Sequence, residues 1–150
     1  DNRWLRCDIK AIALLPNVLL RQQATEAGAA EAILVRDGLA MEGSASNIFA
    51  VVDGVLVTPP KGPFILPGIT RDLVLELAHA HGVSCEERML KESELAKASE
   101  LMLSSSTKEL LPITTLNGKP VAGGKPGPVH ARLYALYQDY KREFRAGRAD

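Results

Sequence analysis

Glu31-Ala32-Ile33-Leu34-Val35-Arg36-Asp37-Gly38-Leu39-Ala40-Met41-Glu42 reads as a strand, a tight turn and a returning strand. Both central residues of a two-residue hairpin turn need positive φ, and Asp-Gly tolerates it. The device recurs at once. Ile48-Phe49-Ala50-Val51-Val52 runs into Asp53-Gly54 and returns as Val55-Leu56-Val57-Thr58. A third turn, Asn117-Gly118, closes the strand expected over Glu109 to Leu116. Strands joined this closely must be antiparallel, because parallel neighbours need a long crossover.

Working outward, helices stand between and after the hairpins. Pro16 suits a first helical turn, where its missing N–H costs nothing, and Gly28 is placed to end that helix. Thr70 is a candidate N-cap for a helix reaching about His81, with Leu73, Val74, Leu77 and Ala78 as its apolar stripe. Val129, Leu133, Leu136, Tyr137, Tyr140 and Phe144 recur at helical spacing in a terminal helix. Shorter expectations are a strand over Trp4 to Ile9, an irregular stretch from Lys10 to Leu15, a strand near Ser84 to Arg88, a short helix near Ser93 to Ala98 and a strand over Glu100 to Leu103. Pro59 to Pro63 and Gly123 to Gly127 read as loops. Three hairpins with three longer helices predict an α+β fold with a mixed or antiparallel sheet, not a doubly wound parallel one.

Composition narrows the function classes. A chain of 150 residues is expected to form one domain over 1–150 with a real core. Eighteen basic residues balance eighteen acidic ones, so no electrostatic argument points to nucleic acid or acidic lipid. Aromatics at 5% give little for base stacking. No apolar run approaches membrane-spanning length. Cys7 and Cys85 stand far apart and read as reduced thiols of a cytoplasmic protein. His79, His81 and His130 share no metal-ligand spacing with cysteines or carboxylates, so no metal is expected. Gly43-Ser44-Ala45-Ser46 lacks the second glycine of a nucleophile elbow, and no Walker-type loop exists. The start at Asp1, without an initiator Met or a signal-peptide form, is expected to be an internal point of a longer chain.

Two polar loops can hold an anion. Gly68-Ile69-Thr70 opens a helix, where free N–H groups and the positive dipole end meet. Ser104-Ser105-Ser106-Thr107 offers hydroxyls at a strand end. Taken alone, each is an ordinary cap or turn. Lys10 and Glu42 taken alone are equally bland, since a single lysine is nearly always a solvated charge.

Their order along the chain is what is specific. Arg3-Trp4-Leu5-Arg6-Cys7-Asp8-Ile9-Lys10, Glu31-Ala32-Ile33-Leu34, Glu42-Gly43-Ser44, Asn47-Ile48-Phe49, Gly68-Ile69-Thr70-Arg71-Asp72 and the Ser/Thr loop before Glu109 resemble, in sequence, the C-terminal cofactor-binding domain of fold-type IV pyridoxal-phosphate enzymes. Within that group the chain is most similar to the D-amino acid (D-alanine) aminotransferases. The resemblance implies pyridoxal 5'-phosphate as cofactor and transamination between a D-amino acid and a 2-oxo acid. It makes Lys10 the Schiff-base lysine and Glu42 the carboxylate facing the pyridine nitrogen. Ile69 and Thr70, with Gly68 shaping the turn, become the phosphate cup. Ser106 and Thr107, with Ser105 beside them, become hydroxyl residues near the phosphate. Leu66 packs on the ring face, and Arg3 stands behind the cofactor. Ala45 departs from the pattern, which has a serine there. The resemblance further implies an N-terminal domain outside these residues, completing the site, and a homodimer. Branched-chain aminotransferases and aminodeoxychorismate lyases share the architecture, the lysine and the glutamate. A non-catalytic assembly domain, or a fragment lacking half its site, is the reading of another class.

Overall fold

A computed structural model of the chain describes residues 1–12 and 14–148. Its elements are, in chain order, α1 (Leu15–Glu26), β1 (Ile33–Arg36), β2 (Leu39–Gly43), β3 (Asn47–Val52), β4 (Val55–Thr58), α2 (Ile69–Ala80), β5 (Cys85–Glu87), β6 (Leu90–Lys91), α3 (Glu92–Leu95), β7 (Glu100–Ser105), β8 (Glu109–Ile113), β9 (Thr115–Leu116), β10 (Lys119–Pro120) and α4 (Pro128–Arg145). The three turns behave as their chemistry requires. Asp37 and Gly38 have φ of 51° and 74°, Asp53 and Gly54 of 50° and 79°, and Asn117 and Gly118 of 48° and 76°. The β1–β2, β3–β4 and β9–β10 pairs they join are antiparallel.

The strands form a five-stranded sheet in the order β5-β4-β3-β7-β8, a three-stranded sheet β1-β2-β6, and the β9–β10 ribbon. β4 and β5 are parallel, linked by a crossover through α2, so the larger sheet is mixed. This is the α+β arrangement that the hairpins predict. Both faces of the larger sheet are covered. Phe49 and Val51 point to one face, where Leu56, Met102 and Leu110 meet Val74 and Ala78 of α2 and Leu133 and Tyr137 of α4. Ile48 and Ala50 point to the other, against Ala40, Leu90, Leu95 and Leu103. A strand buried on both faces loses its apolar–polar alternation, which is why Ile48-Phe49-Ala50-Val51-Val52 is apolar throughout.

Several boundaries depart from expectation. Trp4 to Ile9 is not a strand. Cys7 N–H donates to the Pro63 carbonyl at 2.7 Å and Ile9 N–H to Arg6 at 3.2 Å, so the segment is a turn lying against the 59–63 loop. Its weak alternation had no partner strand to pair with. The irregular stretch over 10–15 is irregular at 10–12 and 14, and Ala13 lies outside the described residues. Gly68, not Thr70, is the N-cap of α2, with extended φ −72° and ψ 136° and no side-chain cap bond. The strand expected over Glu109 to Leu116 breaks at Thr114 into β8 and β9.

The start of α4 is held from a distance. The buried Glu100 carboxylate accepts the Val129 and His130 N–H groups at 2.9 and 2.8 Å. A Cβ on Gly127 would stand 2.1 Å from Glu100 Cδ, so only glycine leaves room for this cap.

Candidate active site

Lys10 precedes α1 on an exposed stretch, and Glu42 is buried near the end of β2. The fold brings them to one cavity of about 340 Å³. Asn17 and Arg21 of α1, the Gly43-to-Asn47 segment, Leu66, Gly68 to Thr70 and Ser104 to Ser106 complete its wall. Four separated stretches therefore converge: the Lys10 segment, the end of the first hairpin, the start of α2, and the β7–β8 turn.

Glu42 is clamped. Its Oε1 accepts from a guanidinium N–H of Arg3, which is itself buried. Its Oε2 accepts Leu66 N–H at 2.9 Å and Asn47 Nδ2–H at 3.3 Å. Burial pushes the Glu42 carboxyl above its ordinary range, while the Arg3 guanidinium and the Leu66 N–H pull it back. A carboxylate offers about four acceptor sites, and three are used. The free one belongs to a buried oxygen pair on a cavity wall, the place where a protonated ring nitrogen would satisfy it. Arg3 does not line the cavity. It stands behind Glu42, with Nε and Nη2 on Asp1 at 2.9 and 3.0 Å.

The start of α2 lines the same cavity. Gly68 leaves the first helical N–H groups without a side-chain cap, and Ile69 is 84% exposed while Thr70 is buried on the cavity wall. Uncapped N–H groups at the positive dipole end suit an anion. Ser104 adds a hydroxyl that is fully buried and has no partner among the described residues. Polar groups left so are rare, and this one lies on the same wall. Residues and open hydrogen-bonding positions thus fit a cofactor with a basic ring nitrogen and a phosphate.

The expected site residues divide as follows. Lys10, Glu42, Leu66, Gly68, Ile69, Thr70, Ser105 and Ser106 all line the cavity. Thr107 does not; it is exposed at the β7–β8 turn. Ser105 is partly committed, since its Oγ accepts Lys108 N–H at 3.1 Å. The sequence reading placed Ser104 only within the polar Ser104-to-Thr107 loop and gave no role to Asn17, Arg21 or Asn47. For Ser104 and Asn47 the missing signal is register: they are directly paired across β3 and β7, and strand propensity does not reveal pairing. The Gly43-to-Ser46 rim is fixed by Glu31, which accepts from the Ser44 hydroxyl and, at 3.3 Å, from that of Ser46. Ala45 is exposed on that rim.

The amino-transferase class IV family model matches residues 1–116. The chain belongs to this family. The class IV chain is 43% identical to the D-alanine aminotransferase of Bacillus licheniformis over 93% of its own length and 49% of that relative. It is 40% identical to the D-alanine aminotransferase of Staphylococcus aureus strain COL, over 93% and 50% of the two chains. Among solved structures, it matches a branched-chain amino acid aminotransferase of Escherichia coli with TM-score 0.82 and 32% identity, over 92% of this chain and 49% of that one. An aminotransferase from Brucella abortus bound to the cofactor PLP matches with TM-score 0.83 and 29% identity, over 91% and 48%. The class IV chain thus spans about half the length of the relatives it matches. Among its described residues no helix is long and apolar enough to cross a membrane, and no group of three His, Cys, Asp or Glu could hold a metal ion.

Proposed function

We propose that the complete protein is a pyridoxal 5'-phosphate-dependent aminotransferase acting on a D-amino acid of the D-alanine type and a 2-oxo acid. One observation carries the reading: Lys10 and the clamped Glu42 share a cavity with the uncapped start of α2. The names of the relatives at 40–43% identity support the D-alanine type. The branched-chain structures support the second reading, a branched-chain aminotransferase.

When bound, the cofactor supplies an electron sink for the charge left at the substrate Cα. The residues of this chain do the rest. Lys10 would hold the cofactor through its side-chain nitrogen, and its amine is the group placed to move the proton at the substrate Cα. Glu42 would keep the ring nitrogen protonated, and Arg3 favours the ionised form of Glu42 against its burial and holds it in place. Gly68, Ile69 and Thr70 seat the phosphate on helix N–H groups, with Ser105 and Ser106 beside it. Leu66 packs on the ring. A cytoplasmic homodimer, with a further domain completing the substrate pocket, belongs to the same proposal.

The test starts with colour. The complete protein is expected to be yellow, and borohydride is expected to fix the chromophore on Lys10, as read by peptide mass. Lys10→Ala should abolish fixation. Assayed with D-alanine, L-leucine and an aminodeoxychorismate donor, it should turn over D-alanine fastest. Label on another lysine overturns the site, and preference for L-leucine overturns the substrate class in favour of the second reading.

A further inference from the structure

Gly68 poses a question that its backbone does not answer. Its φ of −72° and ψ of 136° are ordinary extended values that any residue adopts. Glycine is not there for conformational freedom. It is there for space: a Cβ at Gly68 would stand 2.3 Å from Asn47 Oδ1, far inside van der Waals contact. The start of α2 is pressed onto the Asn47 side chain.

The same amide reaches the other half of the site. Asn47 is 6% exposed, and its Nδ2 donates to Glu42 Oε2 at 3.3 Å and to the Leu66 carbonyl at 2.8 Å. Leu66 N–H returns to Glu42 Oε2 at 2.9 Å. Carboxylate, amide and the Leu66 peptide form a closed ring of three groups, and two residues further on the chain is stacked against the same amide. Pairing with Ser104 across the sheet fixes Asn47 itself. Few side chains can do this. The position needs a donor for the carboxylate and a flat group that Gly68 can approach.

We infer that Asn47 is a positioning residue that holds the Glu42 carboxylate and the Gly68–Thr70 helix start in one fixed relation, so that the ring nitrogen and the phosphate of a single cofactor can be satisfied together. The inference rests on the pyridoxal-phosphate reading of the site. A buried amide that only satisfied its neighbours would stabilise the fold and leave cofactor recognition unchanged, and that difference is measurable.

The complete protein is prepared as wild type, Asn47→Ala, Gly68→Ala and the double variant. Binding is measured for pyridoxal 5'-phosphate, for pyridoxal, which lacks the phosphate, and for the 1-deaza analogue, which lacks the ring nitrogen. Each single variant should weaken pyridoxal 5'-phosphate about tenfold, the scale of one lost hydrogen bond to a charged group. The double variant should be no more than about tenfold weaker, because without the amide the alanine methyl has room; neighbours sharing one contact do not add. Asn47→Ala should cost less with either analogue than with the full cofactor. Losses that multiply in the double variant overturn the inference. So does an Asn47→Ala loss equal for all three ligands. Should Asn47→Ala fail to fold, Gly68→Ala carries the test: it must weaken pyridoxal 5'-phosphate more than pyridoxal, and equal losses overturn the inference. Wild type that takes up no pyridoxal 5'-phosphate overturns the functional reading instead, a failure seen before any variant is made.

Discussion

Glu42 is a carboxylate under opposing demands. Burial disfavours its charge, while Arg3 and the Leu66 N–H favour it. The net direction is upward, so its folded-state pKa exceeds its unfolded one. By linkage such a group contributes stability at low pH that is lost as pH rises through the folded pKa. Ionised Glu42 is thus a cost to the fold, and under the proposed function a cationic ring nitrogen would offset it. Two outcomes follow. Glu42→Gln should lower turnover about a hundredfold, the size seen when one preorganised electrostatic group is removed, with cofactor binding partly kept; a near-normal rate would count against the assignment. Cofactor affinity of the wild type should fall as pH drops through the raised Glu42 pKa, and the glutamine variant should lack that limb in a binding titration. Lys10 and Glu42 were legible in the sequence only through their order relative to the helix start and the Ser/Thr loop. The role of Asn47 and its pairing with Ser104 were not, because a hydroxyl or an amide acquires its meaning from the residue across the strand, and cross-strand register is a tertiary property.

Among the elements, the hairpins were legible because a two-residue Asp-Gly or Asn-Gly turn states its own geometry. The parallel β4–β5 pair was not, since no local rule says where a strand following a helix will land. α4 shows how an element can be helical by its own pattern and still need a distant anchor. Glu100 caps it across the sheet. Glu100→Ala leaves two N–H groups without their partner and should cost about 1–3 kcal/mol, read as a lower urea midpoint. Gly127→Ala should match it, because its Cβ displaces the same carboxylate. A separate contact further along α4 behaves differently. Lys141 and Gln138 of α4 hold Glu109 below its ordinary range. A depressed folded pKa contributes stability above the unfolded pKa, lost as pH falls through the folded one. Both side chains of the Lys141–Glu109 pair are about a quarter exposed, so solvent screening limits the effect to under about 1 kcal/mol. Glu109→Gln should remove that acid-side slope, detectable by comparing melts near pH 3 and pH 7, and leave the basic side unchanged.

Over the whole molecule, the two burdens on the surface are unequal. The central sheet is covered on both faces by residues of this chain. The segment carrying the lysine is not. Trp4, Leu5, Ile9, Ile12, Leu15, Val18 and Leu19 are all 40% or more exposed; they run from the turn before Lys10 into α1, and Val18 among them lines the cavity. Scattered apolar residues on a surface need no explanation, whereas a run of seven beside a functional cavity marks a surface meant to be covered. The relatives are about twice as long as this chain, and a further domain of that scale belongs to the proposed function. The sequence singled out Lys10, but it could not show that the stretch around it would be the exposed apolar one, because exposure depends on the strand that Trp4 to Ile9 does not form. The consequence is measurable. The 150-residue chain alone should bind a hydrophobic dye strongly, hold pyridoxal 5'-phosphate weakly and fail to transaminate. The complete protein should bind little dye and be active. Replacing Leu5, Ile12 and Leu19 together by serine should cut dye binding to the short chain and leave its core melting transition within about 0.5 kcal/mol per site, as exposed positions allow. Unchanged dye binding in that triple variant would show that the apolar surface lies elsewhere.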